Sequence, residues 1–144
     1  TTLNKVAAEL MAEMPDIHAC TDVTGFGFLG HACEMVEGSK VGMQIHVAAV
    51  PYFPEIREFV EMGVIPAGLH RNRQYRANFI DVAESCPDWI VDILFDPQTA
   101  GGLLIILPAG QAEQLIGKMH ARGIKEAAIV GEVVAEPQGK VRVV

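Results

Sequence analysis

Apolar positions along this chain follow two rhythms, one of period about 3.6 and one of period 2. Leu3, Val6, Ala7, Leu10, Met11 and Met14 recur at helical spacing, which predicts an amphipathic helix over residues 3–14 capped by Thr1 or Thr2. Pro15-Asp16 ends it, and Ile17 to Thr21 alternates as a short strand that delivers Asp22 to a glycine-rich loop. Phe28 to Glu37 reads as a helix stopped by Gly38, and Val41 to Val47 as a half-buried strand. Pro54 to Met62 reads as a helix with Pro at its start and Gly63 at its end. Residues 64–76 read as a loop holding Arg71-Asn72-Arg73, residues 77–85 as a short helix, and Trp89 to Phe95 as an apolar strand. A second loop spans 96–102, and Leu103 to Leu107 is a continuous apolar run, expected as a strand covered on both faces. Ala112, Leu115, Ile116 and Met119 mark a helix after Pro108, closed by Gly123. Ala128 to Ala135 and Lys140 to Val144 finish as strands around a Pro137-Gln138-Gly139 turn. Helices and strands mix without a regular βαβ repeat. The fold class expected is α+β, a three-layer sandwich with a mixed, mostly antiparallel sheet flanked by helices.

Composition narrows what such a domain does. The chain has 144 residues, half of them hydrophobic, enough for one domain with its own core. Its net charge of −7 argues against a nucleic-acid surface, which needs clustered positive charge. No run is apolar and long enough to read as a membrane span, and no signal-peptide layout is visible. Cys20, Cys33 and Cys86 form an odd set without CxxC spacing, which suits a reducing, cytoplasmic setting. The opening Thr1-Thr2, without Met, leads to the expectation of a piece of something longer.

The densest chemistry is Cys20-Thr-Asp22-Val-Thr24-Gly25-Phe-Gly27-Phe-Leu-Gly30-His31. Gly25, Gly27 and Gly30 permit positive φ and leave room where a Cβ would intrude. The first turn of the following helix offers unpaired N–H groups that favour an anion. Asp22 would repel that anion unless a cation sat between them, so an oxygen ligand on Mg²⁺, itself bound to phosphate, resolves the conflict. Gly25-x-Gly27-x-x-Gly30 also matches a dinucleotide fingerprint, but Asp22 precedes it and no acid follows the next strand for a ribose hydroxyl. The bland alternative is a tight turn packing a helix onto a sheet. His18-Ala-Cys20 and His31-Ala-Cys33 hint at zinc, yet they fall on a strand and a helix rather than on turns, which favours a satisfied His and a buried Cys. Arg71-Asn72-Arg73 could grip an anion or simply face solvent. No nucleophile–base constellation is readable, so no catalytic residue is expected within this chain.

Three motifs together resemble the C-terminal half of the selenophosphate synthetase family (selenide, water dikinase). They are His18 through His31, Arg71-Asn-Arg73 followed by Tyr75, and Asp96-Pro-Gln-Thr-Ala-Gly-Gly102, with Gly131-Glu-Val133 near the end. Aminoimidazole ribonucleotide synthetase, thiamine-monophosphate kinase and a hydrogenase-maturation protein share the architecture. The resemblance implies the C-terminal domain of a two-domain ATP-dependent enzyme that makes selenophosphate from selenide, releasing AMP and phosphate. It implies Asp22 as a Mg²⁺ ligand, with Thr24, Gly25, Gly27, Asn72, Gly101 and Gly102 in the phosphate and nucleotide vicinity. It also implies an N-terminal domain holding the reactive Cys or selenocysteine, an essential Lys and most ATP contacts, and a homodimer formed chiefly through it. Cys20, Cys33 and Cys86 do not align with the reactive position. Ala100 stands where the family commonly has Ser, and Ala67-Gly68-Leu69 where it has Gly-Gly-Thr. Two rival readings stay open: another ATP-dependent kinase or synthetase of the same superfamily, and a non-catalytic interaction domain.

Overall fold

A computed structural model of the chain describes residues 3–144. α1 (Lys5–Ala12) and α6 (Ala109–Ala121) pack as a pair, with Leu10 and Met14 against Leu115 and Met119. The expected caps Thr1 and Thr2 lie outside the described residues. Asn4 precedes the first helical turn without capping it, and its Nδ2 donates instead to the Gly101 carbonyl at 2.9 Å.

Beside this pair runs a two-stranded antiparallel ladder of β1 (Ala19–Asp22) and β4 (Leu103–Ile106), with Asp22 opposite Leu103. Side chains alternate across it. Ile105 therefore joins the α1–α6 cluster, while Leu104 and Ile106 turn to the main core. The apolar run of β4 serves two faces, as its composition suggested, although only Leu104 is buried outright.

The main core lies on a four-stranded sheet in the order β3 (Ile80–Val82), β6 (Val141–Val143), β2 (Gly42–Ile45), β5 (Gly131–Val134). β2–β5 is antiparallel, whereas β2–β6 and β3–β6 are parallel, so the sheet is mixed. Gln44, Glu132, Arg142 and Asp81 share register and form a polar face. Met43, Ile45, Val141 and Val143 point the other way into the core. α2 (Gly27–Val36) covers them, burying Leu29, Ala32, Cys33 and Val36 at helical spacing. Glycines with positive φ stop the helices as expected at Gly38, Gly63 and Gly123. The α+β class is borne out, with the strands divided between two sheets and α2 touching both. β5 and β6 flank the Pro137-Gln138-Gly139 turn, but β2 separates them and they do not pair.

Three segments depart from the sequence reading. Residues 64–76 are largely helical: α4 (Ala67–Arg76) starts after Pro66 and buries only Leu69 and Arg76, so it lacks the apolar stripe that marks most helices. The helix expected over 77–85 is instead a single 3₁₀ turn (Ala77–Phe79) leading into β3. The strand expected over Trp89 to Phe95 is α5 (Asp88–Leu94), which buries Ile90, Val91, Leu94 and then Phe95. Those offsets mark one side of a helix, while the β-branched and aromatic composition had pointed to a strand. The remaining short helix, α3 (Ile56–Glu61), packs against α5. Among the described residues no helix is long and apolar enough to cross a membrane.

Candidate functional site

Two loops lie side by side where β1 gives way to α2 and where α5 gives way to β4. Backbone hydrogen bonds stitch them together: Val23 N donates to Gly102 O at 2.9 Å, Gly101 N to Val23 O at 3.0 Å, and Gln98 N to Thr24 O at 3.0 Å. Thr24 O also accepts from Gly27 N at 3.0 Å, which closes the turn into α2. Asn72, from α4, donates its Nδ2 to Gly25 O at 2.9 Å and to Phe95 O at 3.1 Å. Thr24, Gly25, Gly27, Asn72, Gly101 and Gly102 therefore share one neighbourhood at the end of β1, where Asp22 sits.

The glycines there divide into two kinds. Gly27 has φ +71°, and a Cβ on it would fall 2.6 Å from the Phe95 carbonyl carbon. Gly101 would drive a Cβ into Val23 O and the Gln98 side chain, and Gly30 into Phe26. These are packing glycines, and the tight-turn reading accounts for them. Gly25 and Gly102 are different, with nothing within 4 Å of an added Cβ. Of the three glycines that permit positive φ in this loop, only Gly27 adopts it. What Gly25 and Gly102 contribute is an open surface beside Asp22.

Asp22 is exposed and forms no ion pair among the described residues. Its charge is felt nearby: partial desolvation of the sulfur first, and then Asp22, push the Cys20 thiol up. Burial pushes Cys33 up to about 12. Neither thiol is disposed to form the thiolate that a nucleophile or zinc ligand requires. The zinc arrangement also fails on position, because Cys33 is fully buried while Cys20 is exposed. Among the described residues no three His, Cys, Asp or Glu side chains converge. A lone carboxylate suits Mg²⁺, a hard cation commonly held through one or two carboxylates plus waters and substrate phosphates.

Arg71-Asn72-Arg73 does not act as one cluster. Arg73 pairs with Asp92 and, at 3.1 Å, with Asp88, both on α5. The Asn72 amide is committed to the two carbonyls above. Arg71 is exposed and borders an open groove of about 540 Å³ with Phe26, Tyr75 and Arg76.

Sequence reasoning missed a side-chain chain behind the glycine loop. His31, 7% exposed, places Nε2 3.0 Å from Thr24 Oγ1 and Nδ1 2.9 Å from Glu34 Oε2. Glu34 Oε1 lies 3.3 Å from Arg76, which also donates to Glu37 Oε2 at 2.8 Å. Arg76 is 4% exposed. The i, i+3 spacing of His31 and Glu34 was the one available signal. Asn4 was missed as well, and Asp96, which opens the motif of the second loop, has its carboxyl raised by burial.

Known proteins bear on this geometry. The family described as "AIR synthase related protein, C-terminal domain" matches residues 1–144. A protein of Pelobacter propionicus named "Selenide, water dikinase" is 50% identical over 137 residues, covering 95% of this chain and 39% of that protein. One of the same name from Clostridioides difficile is 42% identical over 138 residues, covering 96% and 39%. The chain thus spans about two fifths of the length of these relatives. Among solved structures, Escherichia coli HypE, a hydrogenase maturation protein, superposes with a TM-score of 0.66 at 20% identity, over 96% of this chain and 34% of HypE. At that identity the likeness speaks for fold alone.

Proposed function

We propose, on the premise that this chain belongs to the family of AIR synthase related protein C-terminal domains, that it is the C-terminal part of a selenide, water dikinase. The full-length enzyme would use ATP and selenide to make selenophosphate, releasing AMP and phosphate. The observation that carries this reading is the exposed Asp22 carboxylate beside the open Gly25 and Gly102. It stands in a chain 50% identical to a protein named for that activity.

In this reading Asp22 and the two loops hold the phosphate end of Mg-ATP. Magnesium bound there would supply charge neutralisation for the phosphate oxygens. Asp22 contributes a hard oxygen at the end of a strand whose backbone is fixed by the β4 ladder, so the carboxylate needs little reorganisation. Gly25 and Gly102 leave the backbone uncovered for close approach. Asn72 and the Thr24 carbonyl hold the two loops in register. Ala100 and Leu69 lack the hydroxyls common at those places, so this chain offers no side-chain hydrogen bond to ligand from either. The N-terminal domain of the full-length protein would provide the reactive residue, most nucleotide contacts and the dimer interface. A reducing cytoplasm belongs to the same reading, supported by three free cysteines. The 144-residue chain alone is expected to turn over nothing.

The test is Asp22→Asn in the full-length protein, assayed for selenide-dependent AMP release. A loss of about 10²-fold or more is expected, by analogy with removal of one electrostatic contact in other active sites. The circular-dichroism melt should be unchanged, because the side chain is exposed. Wild-type rates would remove Asp22 from the mechanism. AMP release that is independent of selenide would redirect the assignment to another ATP-dependent enzyme of the superfamily.

A further inference from the structure

Thr24 stands between Asp22 and the open Gly25, and its hydroxyl is one partner of a buried imidazole. The partner on the other ring nitrogen decides what that hydroxyl can do. Glu34 Oε2 lies 2.9 Å from His31 Nδ1, and a carboxylate accepts, so Nδ1 carries the proton. In the neutral ring Nε2 is then an acceptor, and Thr24 Oγ1 at 3.0 Å must donate its proton to it. With that proton spent, Thr24 has only lone pairs left.

Both ends of this arrangement, His31 and Arg76, are buried, with the half-exposed Glu34 between them. The His31 ring packs at 59° against Phe26, with centroids 5.7 Å apart. Glu34 is anchored by Arg76, which is also bound to Glu37. Burial opposes the Arg76 charge, but its hydrogen bond to Glu37 and the nearby carboxylates raise its pKa on balance. Arg76 Nε is buried without a hydrogen-bond partner, and the guanidinium is held by the two glutamates and by the Tyr75 and Phe79 rings, whose centroids lie 5.0 Å and 5.7 Å from its central carbon. The ion pair fixes Glu34, Glu34 fixes the tautomer, and the tautomer fixes the threonine hydroxyl.

We propose that His31 is a positioning residue that makes Thr24 an obligate hydrogen-bond acceptor at the loop mouth. Asp22 is also an acceptor, so the two side chains together favour a hydrated cation over a bare phosphate oxygen at this spot. This rests on the metal–phosphate reading above and adds which groups around Asp22 select the cation's water shell.

The experiment has a spectroscopic arm and a kinetic arm, both on the full-length protein. In ¹⁵N-histidine spectra without substrates, the signal lost in His31→Gln should show a protonated Nδ1 and an unprotonated Nε2. Glu34→Gln should shift it toward a mixture of tautomers. A ring protonated at Nε2 in the wild type overturns the proposal, whatever the enzyme's activity. In the kinetic arm, Thr24→Val should raise the Mg²⁺ concentration for half-maximal rate about tenfold, the size of one net hydrogen bond. Thr24→Ser should restore it, and His31→Gln should match Thr24→Val without adding to it in the double variant. A lowered melting temperature with an unmoved Mg²⁺ midpoint would make His31 merely structural and overturn the proposal. Should Asp22→Asn retain full activity while the tautomer is as stated, the metal site fails and the hydrogen-bond chain stands.

Discussion

At the scale of single residues, what a methyl group would meet separates the glycines beside Asp22. Gly27→Ala combines a positive φ with a Cβ 2.6 Å from the Phe95 carbonyl carbon, and backbone cannot swing aside as a side chain can. We expect a destabilisation of about 1–3 kcal/mol from the strained backbone alone, more with the clash, read as a lower urea midpoint. Gly25→Ala meets nothing and should leave that midpoint nearly unchanged, while lowering ATP-dependent turnover in the full-length protein. Equal destabilisation by both would show that Gly25 too is there for packing. Asp96 gives a second residue-level expectation. Burial raises its carboxyl above the ordinary 3.8, so its folded form favours the proton. Its contribution to stability is full below that ordinary value and is lost as pH rises through the raised one. Asp96→Asn should therefore raise the melting temperature at neutral pH, with the gain disappearing in acid. A variant that is less stable at neutral pH would mean that the carboxylate has a favourable partner.

At the scale of elements, α4 shows where sequence patterning runs out. Its ten residues include Arg71, Asn72, Arg73, Gln74 and Arg76 and bury a single aliphatic side chain, so a search for apolar stripes finds a loop. What holds it is polar. Arg73 reaches two aspartates of α5, Asn72 reaches two carbonyls, and Arg76 reaches two glutamates around α2. Only Pro66 at its start was a legible mark. α5 erred the other way, since Trp89 to Phe95 has strand composition, yet its buried positions follow a helix. The site loops were readable because glycines, Asp22 and the helix start are consecutive in sequence. The His31–Glu34–Arg76 chain was not, because charged residues on helices ordinarily face water and Arg76 is far in sequence from the other two. Asn72→Leu tests the strut directly. It strands the Gly25 and Phe95 carbonyls and should cost about 1–3 kcal/mol, measured by chemical denaturation. A change within a few tenths would show that water replaces the amide freely.

At the scale of the whole molecule, two apolar clusters of unequal size meet across the β1–β4 ladder. The larger gathers α2, α4, α5 and the four-stranded sheet, and the smaller gathers α1 and α6 with their flanking residues and Ile105 of β4. Local opening follows the amount of buried apolar contact. In native-state hydrogen exchange, amides of α1 and α6 should therefore exchange before those of α2, β2 and β6. Simultaneous exchange would mean that the clusters open as one unit. The ladder is where the proposed site lies, so the strand that carries Asp22 borders both the firmer and the looser half.

The strand order carries one more consequence. β6 is the latest element in the sequence, yet it lies between β3 and β2 and fully buries Val141 and Val143. Among the described residues β3 has no other neighbour in the sheet, so it stays unzipped until β6 slides into the slot. Loss of just these few closing residues would strand β3 and uncover the underside of α2, turning a short clip into a split barrel stave. A nascent polypeptide emerging from the ribosome would thus hold an unfinished sheet until nearly all of these 144 residues had been made.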